Sequence, residues 1–325
     1  MALLRHLVYL LMLPLPALAQ PTAPAPGERV ADQALLMAAE AGRVELVEFA
    51  LDNGADIEAR DRRRRGGTPL HLAIENGHYP VVRALLARGA DADAANASGH
   101  TPLMVAADAR DDPLMGVELI GAGAAVNAAA ADGTTALMAA AGRGHENFVG
   151  LLLLNKADPA AVDAAGRDAL LLAAEDGSLA SVAALVDAGA SPNRRALNGE
   201  TPLGRAVIGA HAGIAARLLA AGADVNAPVA NGQTPLIIAV RTGDTATVDV
   251  LLGAGADVNR RELGNGNTAL MYAANSGFAD LVERLLENGA DVRAQAEDGW
   301  TAIQAAEMVG ETGIAERLRA AARGG

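Results

Sequence analysis

The chain has no cysteine among its 325 residues. That excludes a disulfide, a thiolate zinc site, a cysteine nucleophile and a lipid-bearing cysteine. A chain in an oxidising compartment must then rely on its core alone for stability. Aromatic residues are also scarce, at 2% against 51% hydrophobic residues overall. Alanine, leucine and valine therefore supply the core, which suits closely stacked helices. Lysine occurs once, at Lys156, so nearly all positive charge is arginine. With so much alanine, that bias reads as a GC-rich bacterial coding sequence. Positive charge is itself in deficit: the net charge is −13, and losing Arg5 with residues 1–19 takes it to −14. Such a balance opposes a phosphate backbone or an anionic membrane surface and fits a basic or locally basic protein partner. Beyond the N-terminus, no segment is apolar for the roughly 20 residues that a membrane span needs.

The N-terminus has the three parts of a secretory signal peptide. Arg5 and His6 give a positive start, Leu7 to Leu13 form a short apolar run, and Ala17-Leu18-Ala19 is a cleavage site after Pro14 and Pro16. Cleavage is expected after Ala19, giving a soluble periplasmic or secreted chain without membrane insertion. Residues 20–29, rich in Pro and Ala, read as an extended linker.

What is present is a period. Thr-Pro-Leu or Thr-Ala-Leu, or a close variant, recurs at Thr68, Thr101, Thr135, Thr201, Thr234, Thr268 and Thr301, with Asp168 filling the one gap, at spacings of 33 or 34 residues. Gly77, Gly144, Gly177, Gly243, Gly277 and Gly310 each follow nine residues later, and a Gly-Ala-Asp-Val-Asn-like string follows about 21 residues after each Thr. Thr or Asp is placed as a helix N-cap, with Pro at the first helical position. The glycine ends that helix in the left-handed conformation. Val81, Val82, Leu85 and Leu86 then form the apolar stripe of a second helix. Asp56, Asp91, Asp158, Asp224, Asp257 and Asp291 recur in the turn that follows and read as turn formers. In the first repeat, counting back from Gly42 puts Gln33 in the Thr position.

Thr68-Pro69-Leu70-His71-Leu72-Ala73 followed by Gly77-His78 resembles the ankyrin repeat, and the likeness runs over about residues 30–323. The resemblance implies an all-α repeat solenoid of about nine ankyrin repeats, each a helix-turn-helix plus a β-hairpin finger, in a curved array. The repeats begin near residues 30, 64, 97, 131, 164, 197, 230, 264 and 297. Arg319 stands where Leu86, Leu252 and Leu286 stand elsewhere, and with Glu316, Arg317 and Arg323 the last helix reads as a polar cap. An exported bacterial member of the family is the expectation.

No catalytic constellation is legible. The family's pattern makes His71 a buried hydrogen-bonding residue and accounts for His78, His145 and His211 after the inter-helix turn. Equivalent positions stack about 10 Å apart, too far for shared metal ligation at about 2 Å. Gly264-Asn265-Gly266-Asn267 lacks the Lys-Ser/Thr of a phosphate loop. No enzyme activity, metal or cofactor is expected.

In this family partners dock in the concave groove of finger tips and first helices. Carried over by position, that surface comprises Arg62, Arg63, Arg64, Arg65, Glu75, Asn76, His100, Asp108, Thr134, Arg143, Arg167, Glu175, Asp176, Glu200, Gln233, Arg241, Asn267, Asn275 and Trp300. Arg60-Asp61-Arg62-Arg63-Arg64-Arg65 makes a finger two residues longer than usual, which either clamps an acidic loop through bidentate pairs or is a solvated turn. Trp300, the only tryptophan, is either a binding anchor or packs on the neighbouring finger. Arg194-Arg195 and Arg260-Arg261 read as further basic fingers. Asp108 to Pro113 replaces the usual Gly-His turn, as a recognition feature or as drift. The expected function is a non-catalytic scaffold or adaptor, monomeric alone, for an unidentified protein. The alternatives are an immunity or inhibitor protein against an exported toxin or enzyme, a secreted effector that binds host proteins, or an effector with enzymatic activity.

Overall fold

The computed structural model describes residues 29–229 and 232–324. The expected signal peptide, and the linker up to residue 28, lie outside them. Contacts divide the chain into two compact units between Asp158 and Pro159, and each is described by itself.

Unit one holds four helix pairs: α1 (Val30–Glu40) with α2 (Val44–Asp52), α3 (Pro69–Glu75) with α4 (Tyr79–Ala87), α5 (Pro102–Ala109) with α6 (Pro113–Gly121), and α7 (Ala136–Ala141) with α8 (Glu146–Leu154). Unit two holds five: α9 (Ala169–Asp176) with α10 (Leu179–Asp187), α11 (Pro202–Ile208) with α12 (Ala212–Ala220), α13 (Pro235–Thr242) with α14 (Thr245–Gly253), α15 (Ala269–Asn275) with α16 (Ala279–Glu287), and α17 (Ala302–Met308) with α18 (Thr312–Gly324). The described residues contain helices and no named strand, an all-α repeat solenoid.

The caps fall where the period places them. Hydroxyls of Thr101, Thr135, Thr201, Thr234, Thr268 and Thr301 accept the N–H three residues on, at 3.0–3.4 Å. Asp168 does so from Leu171 at 2.9 Å. The first repeat differs: α1 begins at Val30, so Gln33 lies inside the helix and not at its cap, because nothing before it breaks the helical run.

Core side chains alternate large and small. Leu70, Leu72, Val82, Leu85, Leu170 and Leu218 are fully buried beside Ala73, Ala107, Ala141 and Ala306. Phe148, the one buried phenylalanine, fits because Gly116 faces it. A methyl there would lie 2.9 Å from the Phe148 ring and 2.5 Å from Leu151. Leu86 is only half-buried, so the stripe of α4 is narrower than expected.

The Asp108–Pro113 irregularity has a structural use. Asp112 caps α6 by accepting from Leu114 N–H at 3.1 Å. Asp111 reaches the next repeat, taking Phe148 N–H at 2.9 Å and the Asn147 amide at 2.8 Å. It thereby caps α8, whose own N-cap His145 offers no side-chain bond.

The described fingers are short hydrogen-bonded hairpin turns, not β-hairpins of paired strands. Ala196 N–H donates to Glu200 C=O at 2.9 Å, and Ala130 to Thr134 likewise. Isolated bridges join Asp61 to Gly67 and Ala129 to Thr135. Successive strand segments are too short to extend the ladder.

Neighbouring loops are tied by side chains. Asn193 accepts Asp224 N–H and donates to Gly222 C=O, each at 2.8 Å. Asn259 repeats this with Asp291 and Gly289, Asn127 with Asp158 and Lys156, and Asn226 with Asp257. Glu58 and Asp93 make the same bond to Asp91 and Ala125. The recurring aspartates close their own turns, as when Asp224 accepts Asn226 N–H at 2.9 Å.

Gly177 has φ +95°, and an added Cβ would sit 2.7 Å from the His211 ring. Ala210 holds the equivalent left-handed position at φ +56°. That conformation costs a non-glycine residue about 1 kcal/mol. Ala210→Gly is therefore expected to stabilise the fold by about 0.5–1 kcal/mol, and Gly177→Ala to destabilise it by more. Urea midpoints moving in those opposite directions are the check.

Candidate protein-binding surface

The first helices and finger bases bring some of the predicted groove residues together and set others against residues outside the prediction. In unit one Arg64 pairs with Glu40 and stands 3.9 Å from Glu75. Asp108 and Arg143, one repeat apart, pair at 2.8 Å. Asn76 turns its amide to Leu72 C=O at 2.8 Å and closes α3. His100 donates its N–H to Asn96 and receives His71 Nε2 on its carbonyl at 3.1 Å. Thr134 N–H binds Asp132 at 3.0 Å, which holds that carboxyl below the usual range. The other nitrogen of His71 meets Thr68 N–H and Oγ. Burial lowers the His71 pKa, so the ring stays neutral and spans two repeats.

In unit two Arg205 collects two predicted acids, Glu175 at 2.7 Å and Glu200 at 3.3 Å. Arg167 pairs with Asp163 at 2.7 Å in its own finger. Asp176 is exposed at the end of α9. Gln233, Arg241 and Asn267 converge around two residues that sequence reasoning missed, Glu262 and Tyr272. Gln233 donates to Glu262 Oε1 at 2.6 Å, Asn265 donates to Oε2 at 2.9 Å, and Tyr272 OH also donates to Oε2. Asn267 reaches Tyr272 OH at 3.4 Å, and Arg241 lies 5.3 Å above the ring centroid. Burial pushes the Glu262 carboxyl up, but hydrogen bonds from Tyr272, Asn265 and Gln233 outweigh it and hold it below the ordinary range. A signal existed: the matching finger-base position holds Ala or Val in four other repeats (Ala130, Ala196, Val229, Ala296), so a glutamate there implies donors around it.

Beside this network opens a pocket of about 290 Å³, lined by Asn267, Met271, Tyr272, Asn275, Asp298, Trp300, Thr301, Ala305 and Met308. Trp300 is 39% exposed and Met308 62%. The tryptophan thus lines this pocket with residues of the preceding repeat and stays partly exposed.

The expected basic fingers are corrected. Arg60, Arg195 and Arg261 occupy one recurring position and act as staples. Each donates to a carbonyl of its own finger (Gly66, Gly199, Gly266) and to one in the next (Ala95, Pro228, Gln295). Arg194 pairs with the buried Asp168 at 3.2 Å. Burial raises the Asp168 pKa, against the opposing pull of Leu171 N–H and Arg194. Of Arg194, Arg195, Arg260 and Arg261, three are thus engaged within the fold, since backbone carbonyls and a buried carboxylate lie within their reach.

The profile of the family described as "Ankyrin repeats (3 copies)" matches residues 35–115, 103–196, 189–262 and 243–323. The chain is an ankyrin-repeat protein. Ankyrin repeats generally mediate protein–protein interaction. Protein phosphatase 1 regulatory subunit 27 of Mus musculus is 44% identical over 69 residues, covering 21% of this chain and 44% of that protein. Ankyrin repeat domain-containing protein 13B of Mus musculus is 48% identical over 64 residues, 20% of this chain and 10% of its own length. The 2-5A-dependent ribonuclease of Mus musculus is 37% identical over 75 residues, 23% and 10% respectively. Each match spans less than half of the relative.

A carboxylate whose folded pKa is depressed stabilises the fold above its unfolded value, about 4.3 for glutamate, and loses that contribution as pH falls through the folded pKa. Glu262→Gln turns an amide donor toward three donors and is expected to cost about 1–3 kcal/mol at pH 7. Urea unfolding from pH 7 to pH 3 should show the wild-type advantage intact near neutrality and shrinking below about pH 4.

Proposed function

We propose that this ankyrin-repeat protein is a non-catalytic scaffold that holds a folded protein on its finger tips and first helices. The observation that carries the reading is the pocket at Trp300. Its ring and Met308 remain exposed beside a tyrosine braced by Glu262, Asn265, Asn267 and Arg241. A partly exposed tryptophan in a pocket with an apolar floor and an amide rim has the composition of a binding hot spot. The groove charges that pair internally supply shape and orientation, since their energy is already used within the fold.

The reading extends to an exported, bacterial protein that works alone as a monomer in the periplasm or outside the cell. It is supported by the Arg5-to-Ala19 pattern and by the arginine and alanine bias. Among the described residues no helix is long and apolar enough to cross a membrane. An inhibitor that occludes an exported enzyme, or a secreted effector acting on host proteins, would use the same surface.

Two outcomes are expected. Affinity capture from cell-envelope extract should yield a partner with the intact chain, and Trp300→Ala should weaken that complex by at least tenfold, in keeping with a hot spot of about 2 kcal/mol. Undiminished binding would remove the pocket from the interface. Mass spectrometry of the chain expressed in its own cells should find a mature N-terminus at Gln20. An intact Met1 in a cytoplasmic fraction would overturn the export reading.

A further inference from the structure

One finger is more basic than its staple arginine requires. The finger after α2 carries Arg60, Arg62, Arg63, Arg64 and Arg65 within six positions of an otherwise acidic chain. Arg60 staples this finger to Ala95, and Arg64 pairs with Glu40 and Glu75. The tip between them has a fixed geometry. Asp61 C=O receives Arg64 N–H at 3.2 Å and Gly66 N–H at 3.0 Å, and the buried Asp61 carboxylate takes Arg63 N–H at 2.8 Å. Arg65 is held at φ +49°, a left-handed conformation unfavourable for arginine, while its carbonyl takes Ala97 N–H at 2.8 Å. Surrounding bonds hold the tip in that conformation, so the turn is constrained.

Side chains of Arg62, Arg63 and Arg65 are exposed, Arg63 at 57% even with its Nε 3.4 Å from Asp61. The next finger places Ala97 and Ser98 at its tip. The positive field is therefore compact. Salt screens charges beyond about 8 Å at physiological strength, and the acids paired at the finger are Asp61, Glu40 and Glu75, against five arginines.

We propose that this tip docks an acidic segment of the partner protein, with the Arg62, Arg63 and Arg65 guanidinium groups engaging neighbouring carboxylates. The proposal rests on the protein-binding reading above and names the chemistry of one contact. Planar forks on a fixed turn match clustered carboxylates two bonds at a time. A nucleic-acid strand presents a phosphate about every 3.4 Å and calls for a basic track. Beside this tip lie Ala97 and Ser98 on one side and Glu40 and Glu75 below.

The test uses the full mature chain and a fluorescein-labelled octaglutamate peptide followed by fluorescence anisotropy, with a labelled twelve-nucleotide single strand as comparison. The peptide should bind, more weakly as salt rises. Arg62→Ala/Arg63→Ala/Arg65→Ala should weaken it at least tenfold with an unchanged melting temperature. The triple Lys variant should retain only part of the affinity, and Trp300→Ala should leave it unaltered. Equal peptide binding by the parent and the Ala variant overturns the proposal, as does tighter binding of the oligonucleotide. A partner captured equally by parent and Ala variant sinks this contact alone and leaves the groove reading standing.

Discussion

The bond from Asn193 to the Asp224 N–H, repeated from Asn259 to Asp291 and from Asn127 to Asp158, sets the geometry on which the rest of each unit depends. One amide both accepts a backbone N–H and donates to a backbone carbonyl of the next loop. It therefore fixes the distance and the rotation between consecutive repeats. Helix packing alone would leave more freedom, because alanine-rich faces slide with little change in buried area. Once the rung is set, the finger bases, the groove helices and the arginine staples fall into register as well.

This division of labour explains the groove. Core positions repeat because each repeat buries the same face against its neighbour. Groove positions are released from that requirement, yet many are spent on neighbours all the same. Asp108 on Arg143 and Arg205 on Glu175 join adjacent repeats, and Arg205 on Glu200 ties a finger to its own first helix. Exposed pairs of this kind contribute little each, so they orient the surface more than they stabilise it. Within each unit this surface is therefore largely a pattern of charges paired with neighbours.

The fold was legible because its determinants are local. A threonine cap acts on the N–H three residues away, and a left-handed glycine acts on its own φ; both can be seen in a string of residues. The site was less legible because its chemistry is assembled across repeats. Glu262 becomes intelligible only beside Gln233, 29 positions earlier, and Tyr272, ten later. The arginine pairs at 194–195 and 260–261 suggested basic fingers, whereas backbone carbonyls or a buried acid one repeat away account for Arg194, Arg195 and Arg261. Lining up equivalent positions would have exposed the staple, since Arg60, Arg195 and Arg261 share one register. Charge counted along a finger carries no information about partners that lie about 33 residues away.

Four loops lack the tying amide, with Glu58, Asp93, Ala160 and Arg293 in its place. Where Asn127, Asn193, Asn226 and Asn259 stand elsewhere, residue 160 is alanine. Within unit two that junction is served by Arg194, which reaches Ala160 C=O at 3.5 Å while its Nε lies 3.2 Å from Asp168. A neutral tie has been exchanged for an ionic one whose acid partner is already reluctant to ionise. This junction therefore uses a charged side chain that also meets a buried acid, where the asparagine-tied junctions use neutral amides alone.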